Sequence, residues 1–511
     1  MRQVTEIEVK KRLDFDNPWW VDRSDQAFRY RSLPRRGFFD GFHERVSQRG
    51  VNRAVVLMGP RRVGKTVMVH HSIEALIRAG TKPDHLLYLS LDTPIYTGLG
   101  LERIVHMFME MHDHSLNDEL TVFFDEVQYL KDWEVHLKSL VDSFPAFRFV
   151  VTGSAAAALR LKSRESGAGR FTEVLLPPLT FAEYLDFVGV TQEVIASPTL
   201  KDLENLKAES IQLLLKAKDI DLLNKHFIAY VNAGGYPEAV LSEEIRANAA
   251  SYIKSDIIDK VLLRDLPSLY GIDDIQELNR LFNTLAYNTG NELSLEGLSK
   301  DSGVSKNTIR KYLDYLEAAF LISRVHRVDE NARRFKRATK FKVYLTNTSM
   351  RAALFGPLDP EDAAFGNLVE TAIFGQLSML GPLENVHYAR WKRGEVDLVE
   401  LDMLGQSVSL AAEIKWSDRP IQQRDLTASL REFMDKNPKL KNAYVTTRTK
   451  SGEYRHGEHS IFFLPSAVAV YWLGRRGFLY WGISRFFLHV EELITDFGKK
   501  LTPNRVEVQS Q

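Results

Sequence analysis

The octet Gly59-Pro60-Arg61-Arg62-Val63-Gly64-Lys65-Thr66 fits the pattern G-x-x-x-x-G-K-[ST] at every fixed position. Glycines at that spacing let backbone N–H groups turn inward around a polyanion. The helix that follows adds the positive end of its dipole. Lys65 can reach the β- and γ-phosphates of ATP, and Thr66 can hold Mg²⁺. Further along, an apolar run from Leu120 to Phe124 ends in Asp125 and Glu126. Asp125 can bind Mg²⁺ through its water shell. Glu126, one residue beyond the strand, can orient and activate the water that attacks the γ-phosphate. Two further candidates follow. Thr152 and Ser154 form a polar strand tip that either senses the γ-phosphate or caps the next helix. Arg170 is either a solvated loop arginine or one that stabilises transferring phosphate, from its own or a neighbouring subunit.

A second constellation lies near the C-terminus. Glu370 falls on an expected helix, Asp397 on a strand, and Glu413 and Lys415 on the next strand. Side chains alternate along a strand, so Glu413 and Lys415 share a face, and Asp397 on the neighbouring strand can meet them. Two carboxylates able to hold Mg²⁺ or Mn²⁺, with a lysine acting on water or developing charge, make a minimal phosphodiesterase centre. Glu370 can supply a further ligand. The same four residues can also be ordinary charges on a fold without chemistry.

A third cluster is basic. Leu293 to Arg324 has a helix-turn-helix pattern, with Gly303 at the turn and Ser305 capping the second helix. Ile309, Leu313 and Leu316 form its core face, while Lys306, Asn307, Thr308, Arg310 and Lys311 face outward. A hairpin candidate follows with Arg324, Arg327, Arg333, Arg334, Lys336 and Arg337. In a chain of formal net charge +0 this local excess points to DNA, and a protein contact is the competing use.

The elements that must position these groups can be read by pattern. Ala54 to Met58, Leu86 to Leu91, Leu120 to Glu126, Arg148 to Thr152 and Thr172 to Leu176 are expected strands, and a helix should run from the phosphate loop to about Gly80. Residues 181–290 predict mostly helix, broken at Ala233-Gly234-Gly235-Tyr236-Pro237-Glu238 by what looks like a plain turn. Asn17-Pro18-Trp19-Trp20 starts a segment expected to pack on the core. With 511 residues, 44% hydrophobic and 26% charged, the chain is an ordinary globular one of several domains. It has no cysteine, which excludes disulfides and thiolate chemistry and suits a reducing cytoplasm. No membrane span is expected, since Ile461 to Leu473 is too short.

Gly59 to Thr66, FFDEVQYLKDWEVHLKSLVD at 123–142, TGS at 152–154, GAGRF at 167–171 and PPLTFAEYL at 177–185 together resemble the AAA-type P-loop ATPases of bacteria and archaea that carry an uncharacterised C-terminal domain, DUF4143. They are also similar to the archaeal ATPase and origin-recognition branch of the P-loop proteins. The C-terminal set resembles the PD-(D/E)xK nucleases. The resemblance implies an α/β chain: a parallel five-stranded P-loop ATPase sheet whose phosphate-loop strand lies between the fourth and fifth, a helical lid, a winged helix, and a restriction-endonuclease-like α/β domain. It also implies that Thr152 and Ser154 are the first sensor. The corresponding boundaries are 1–50 for an N-terminal segment, 51–180 for the ATPase core, 181–290 for the lid, 291–350 for the winged helix and 360–490 for the nuclease-like domain. The implied partners are ATP, Mg²⁺ and DNA. The implied activity is ATP hydrolysis gating DNA engagement or cleavage, with self-association if Arg170 acts between subunits. The rival is an ATP-driven DNA- or protein-binding switch with an inactive nuclease fold.

Overall fold

Ala54–Met58 (β1) is a continuous apolar run, and every residue in it is buried. Parallel strands covered on both faces have this composition, because no position is left for water. In the computed structural model, which describes residues 5–22, 24–96, 98–153, 169–196, 217–335, 339–380 and 383–477, β1 is the fourth strand across a five-stranded sheet. Its companions are Leu86–Ser90 (β2), Thr121–Asp125 (β3), Arg148–Gly153 (β4) and Phe171–Leu175 (β5), in the order β2-β3-β4-β1-β5. All four pairings are parallel, with Val55 opposite Val150 on one side and Thr172 on the other. The strand carrying the phosphate loop therefore lies between the fourth and fifth. The tips of β1, β3 and β4 share one end of the sheet.

This sheet belongs to the first of two units, built from Met1–Leu179, Tyr236–Asn283 and Val304–Ile322. Its core includes Val56, Leu89, Val122, Phe124 and Val151 from the strands and Ile104, Phe108 and Leu137 from flanking helices. The N-terminal helix Glu6–Asp16 opens with a capping box between Thr5 and Glu8. Asn17 then donates to the carbonyl of Tyr88 at 2.8 Å and accepts from its N–H at 2.6 Å. The Trp20 indole donates to the Leu86 carbonyl at 2.8 Å. The segment thus occupies the open edge of β2, a row of backbone groups that would otherwise be free to pair with another chain.

The second unit comprises Thr180–Gly235, Thr284–Gly303 and Ser323–Gln511. Among the described residues its strands are Glu292–Ser294 (β6), Ile322–Val328 (β7), Lys340–Leu345 (β8), Val386–Arg390 (β9), Glu395–Leu401 (β10), Val408–Glu413 (β11), Asn442–Thr447 (β12), Gly452–His456 (β13) and His459–Pro465 (β14). They form one sheet in the order β13-β14-β12-β11-β10-β9-β7-β8-β6. Here the structure departs from the boundaries drawn above. The hairpin β7–β8 exists, but it is not the wing of a separate domain, because β7 pairs in parallel with β9, His326 opposite His387. Residues 291–350 and 360–490 therefore share a sheet. The two helices of the expected helix-turn-helix, Leu295–Ser302 and Lys306–Ala318, also fall in different units. A parallel pairing between distant strands has no local turn to announce it.

The region 181–290 is helical where described, and residues 197–216, within the expected helical run Leu203–Leu223, lie outside the described residues. The turn at Gly234-Gly235 joins the helices Ile220–Ala233 and Pro237–Leu241. A Cβ on Gly235 would fall 1.8 Å from the Asn347 amide nitrogen, so a larger residue there would displace that side chain.

Candidate functional site

The phosphate loop is shaped by two glycines. Gly59 leaves β1 with φ 154°, and a Cβ there would meet the Leu176 carbonyl at 2.2 Å. Gly64 is left-handed, φ 94°, and caps the helix Lys65–Arg78. Between them Val63 is fully buried and anchors the loop. Lys65 is almost fully buried, and its ammonium donates to the carbonyls of Gly59 at 3.0 Å and Pro60 at 2.8 Å. The lysine holds the loop shut with the same donors that a phosphate would use. Burial lowers the Lys65 pKa, and the nearby Glu126 and Asp125 carboxylates oppose that effect.

Asp125 closes β3 and gathers three hydroxyls. Thr66 donates to it at 2.7 Å and Tyr88 at 3.0 Å, and Thr152 donates to its other oxygen. Thr152 also accepts from the Glu126 N–H at 3.2 Å, so one hydroxyl on β4 fixes both acidic residues. Glu126 adopts φ 57°, a left-handed conformation uncommon outside glycine, and this turns its carboxylate off the strand direction. Its side chain accepts from Gln128. Burial pushes the Glu126 carboxyl above its ordinary pKa, against the pull of Lys65, which makes its carboxylate a stronger base. The hard oxygens of Thr66 and Asp125, already in contact, fit Mg²⁺.

Two arginines of the loop reach acidic partners in the same unit. Arg61 is bidentate to Asp265, at 2.6 and 2.9 Å. Arg62 meets Glu238 at 3.2 Å and Asp256 at 2.9 Å. Glu238 is therefore more than part of a turn. Arg36, buried, donates to the carbonyls of Val63 and Pro177 and ties the loop to the segment that follows β5. Tyr88, Gln128, Arg36 and Asp265 escaped the sequence reading. The tyrosine in the buried run LLYLS was the one local signal among them.

Arg170 is 44% exposed and paired with Asp142 at 2.6 Å, at the surface. Ser154 lies outside the described residues.

The C-terminal set is brought together, in company the sequence did not predict. Lys415 meets Asp397 at 2.9 Å and Glu413 at 3.4 Å. Glu370, on the helix Phe365–Leu380, accepts from Tyr344 at 2.5 Å and from Lys342 at 2.9 Å. Lys342, on β8, is 5% exposed and also meets Glu395 at 2.8 Å and Asp397 at 3.9 Å. Glu370, Asp397, Lys342 and Lys415 line a cavity of about 400 Å³ together with Glu292 and Arg390. Burial raises Glu370 and Glu413 to about 7 each, with their lysine partners working against it. Asp397 goes the other way: Lys415 and Lys342 outweigh burial and hold it below the usual carboxylate range. Both lysines are raised, because their acidic neighbours outweigh burial.

The metal expected on Glu370, Asp397 and Glu413 does not fit this arrangement. Two ammonium groups already pair with these carboxylates, and among the described residues no three His, Asp or Glu converge as a metal-holding set. The raised carboxyls carry a prediction. A folded-state pKa above the unfolded one leaves stability intact below the ordinary value of 4.5 and removes it as pH rises through about 7. Glu370→Gln cannot ionise. Its thermal midpoint should therefore gain on the wild type between about pH 4.5 and 7 and then level off. A pH-independent difference would show that Glu370 titrates normally.

Of the basic residues, Lys306, Asn307, Arg310 and Lys311 lie exposed on their helix, with Ser305 capping it at 3.1 Å. Arg333 is exposed, but Arg334 is engaged with the Glu384 carbonyl at 3.0 Å and Asn385 at 2.8 Å. Lys336 and Arg337 lie outside the described residues.

Residues 51–185, which contain the whole nucleotide constellation, match the family model described as an AAA domain. The chain carries an AAA domain. Residues 224–361 match a second model, described as a domain of unknown function, DUF8612. It covers part of the expected lid and all of the expected winged helix. An uncharacterised protein of Haemophilus influenzae is 25% identical over 360 residues, 69% of this chain and 79% of its own. The uncharacterised protein MJ1544 of Methanocaldococcus jannaschii is 22% identical over 397 residues, 76% and 81% respectively. Among solved structures, the replication initiator DnaA bound to AMPPCP and single-stranded DNA aligns at 12% identity over 55% of this chain and 86% of its own. The TM-score is 0.23, too slight a likeness to extend the AAA domain assignment. Among the described residues no helix is long and apolar enough to cross a membrane.

Proposed function

We infer that the chain is a Mg²⁺-dependent ATPase that works as a nucleotide-driven switch on DNA. The observation that carries the ATPase reading is the convergence of Lys65, Thr66, Asp125, Glu126 and Thr152 at one end of the parallel sheet. The Lys65 ammonium would exchange two backbone carbonyls for the β- and γ-phosphates. Thr66 and Asp125 would hold Mg²⁺, which supplies charge to the phosphate oxygens. Thr152 fixes the Glu126 backbone, and Glu126 would orient the attacking water and take its proton. The loop arginines contact Glu238, Asp256 and Asp265 in the segment Tyr236–Asn283, so phosphates arriving at the loop would disturb those pairs. Purified chain should release phosphate from ATP with Mg²⁺ and not with EDTA; no release under either condition would overturn the reading.

DNA is proposed as the target because the exposed face of the helix Lys306–Ala318 carries three cations in its first two turns. Lys306→Ala, Arg310→Ala and Lys311→Ala combined should weaken duplex binding. They should also flatten the plot of log K against log salt by roughly 0.9 for each phosphate no longer neutralised. An unchanged slope would make this helix a protein-contact surface.

For the C-terminal domain the paired lysines favour an inactive nuclease fold over a nuclease gated by ATP. The rival reading, an active nuclease, rests on the meeting of Asp397, Glu413 and Lys415. Incubating the chain with plasmid DNA and Mg²⁺ or Mn²⁺, with and without ATP, separates the two. Cleavage lost in Lys415→Ala would establish the nuclease.

A further inference from the structure

Arg61 is the second variable residue of the phosphate loop, and its guanidinium is bound on two nitrogens by a single carboxylate, Asp265. The two residues are separated by 204 positions in sequence. Both side chains are largely shielded, at 19% and 13% exposure. Arg61 lies within electrostatic reach of Glu126, and the charge on Lys65 responds to Arg61 and to Asp265 as well as to Glu126. The pair therefore stands in the electrostatic field of the two residues on which hydrolysis depends. Arg170, the arginine that sequence put forward for phosphate, is engaged with Asp142 at the surface.

We propose that Arg61 is the arginine that stabilises the transferring γ-phosphoryl group, in cis, and that Asp265 restrains it until ATP arrives. This rests on the ATPase reading and adds to it a residue and a switch. Guanidinium presents a planar fork that fits a carboxylate and a phosphate equally well in shape. A γ-phosphate carries more negative charge than one carboxylate, so it can draw the fork away from Asp265. In the reaction, the water oxygen forms a bond to the γ-phosphorus. The bond from that phosphorus to the β–γ bridging oxygen breaks, and ADP leaves with the electron pair. The water proton passes to Glu126, and Arg61 neutralises charge on the γ-oxygens as the phosphoryl group moves. ADP lacks the γ-phosphate and leaves Arg61 with Asp265. The state of the Arg61–Asp265 pair thus distinguishes ATP from ADP and reports the difference to the segment Tyr236–Asn283.

The test uses the full chain and measures kcat, KM and the affinities for ATP and ADP separately. In Arg61→Ala, kcat should fall about 10³-fold or more, the scale of a phosphoryl-transfer arginine, while ADP affinity stays within about threefold. In Asp265→Asn the restraint is weakened, so ATP affinity should rise against ADP affinity. Asp265→Asn keeps the shape of the partner and carries the test even if Arg61→Ala does not fold. The proposal is overturned if Arg61→Ala turns over within about threefold of wild type, or if it loses ATP and ADP binding in parallel with no separate loss of kcat. It is also overturned if Asp265→Asn leaves the ATP-to-ADP affinity ratio unchanged. Lys65→Ala separates the two levels: an inactive Lys65→Ala beside a fully active Arg61→Ala defeats this proposal alone, whereas full activity in both defeats the ATPase reading.

Discussion

Lys65→Ala should lose nucleotide binding by about 100-fold or more and lose hydrolysis with it. Its ammonium is nearly fully buried and is held by the carbonyls of Gly59 and Pro60, so it already points at the centre of the loop. Removing a charge that pairs with a phosphate in a shielded site costs about 3 kcal/mol or more, which is a factor of about 100 in affinity. The fold should survive, because the loop is also fixed by Val63 in the core and by the Arg36 bond to the Val63 carbonyl. Titration of a fluorescent ATP analogue measures the loss. Binding within threefold of wild type would mean that this loop does not hold the phosphates.

Lys342→Met should destabilise the second unit by about 3–5 kcal/mol, the cost of leaving buried charge without its partner. The lysine is 5% exposed and serves Glu370, Glu395 and Asp397 at once. Methionine fills the same volume, so the loss isolates the charge. Glu370→Gln in the same chain should recover part of it by removing a carboxyl that, without the lysine, must hold a proton to stay buried. The vacated place should also become open to a cation. Lys342→Met should thus gain thermal stability from Mn²⁺ by mass action, which the wild type should not in the absence of nucleotide. A Lys342→Met chain that melts like the wild type would show that the carboxylates do not depend on this lysine.

Most of the first sheet could be read from composition because β1, β2 and β3 are short, largely apolar runs, and the phosphate loop because its glycines and lysine fall at fixed spacing. Glu370, Asp397, Glu413 and Lys415 could be placed together because strand alternation fixes which side chains share a face. Lys342 could not. It sits on β8, which reads as the return strand of a hairpin, and nothing local says that the hairpin joins β9 and the C-terminal strands. That one pairing merges two expected domains and carries a second ammonium to the acidic cluster. Asp265 was invisible for a similar reason: its partner Arg61, in the phosphate loop, is 204 positions away, and Asp265 looks like a surface charge in its own stretch. The left-handed turn at Glu126 was also hidden, because a glutamate gives no sequence sign of positive φ.

The most direct test is a comparison of ATP binding and phosphate release in Glu126→Gln and wild type, both with Mg²⁺. Glutamine keeps the shape of the side chain and its place beside Gln128 but cannot take a proton from water. The variant should bind ATP within about threefold of wild type and release phosphate at least about 100-fold more slowly, within the range expected for loss of a general base. Phosphate release from Glu126→Gln at the wild-type rate would contradict the account, because the carboxylate of Glu126, whose backbone Thr152 fixes just beyond β3, would then not be the group that activates water.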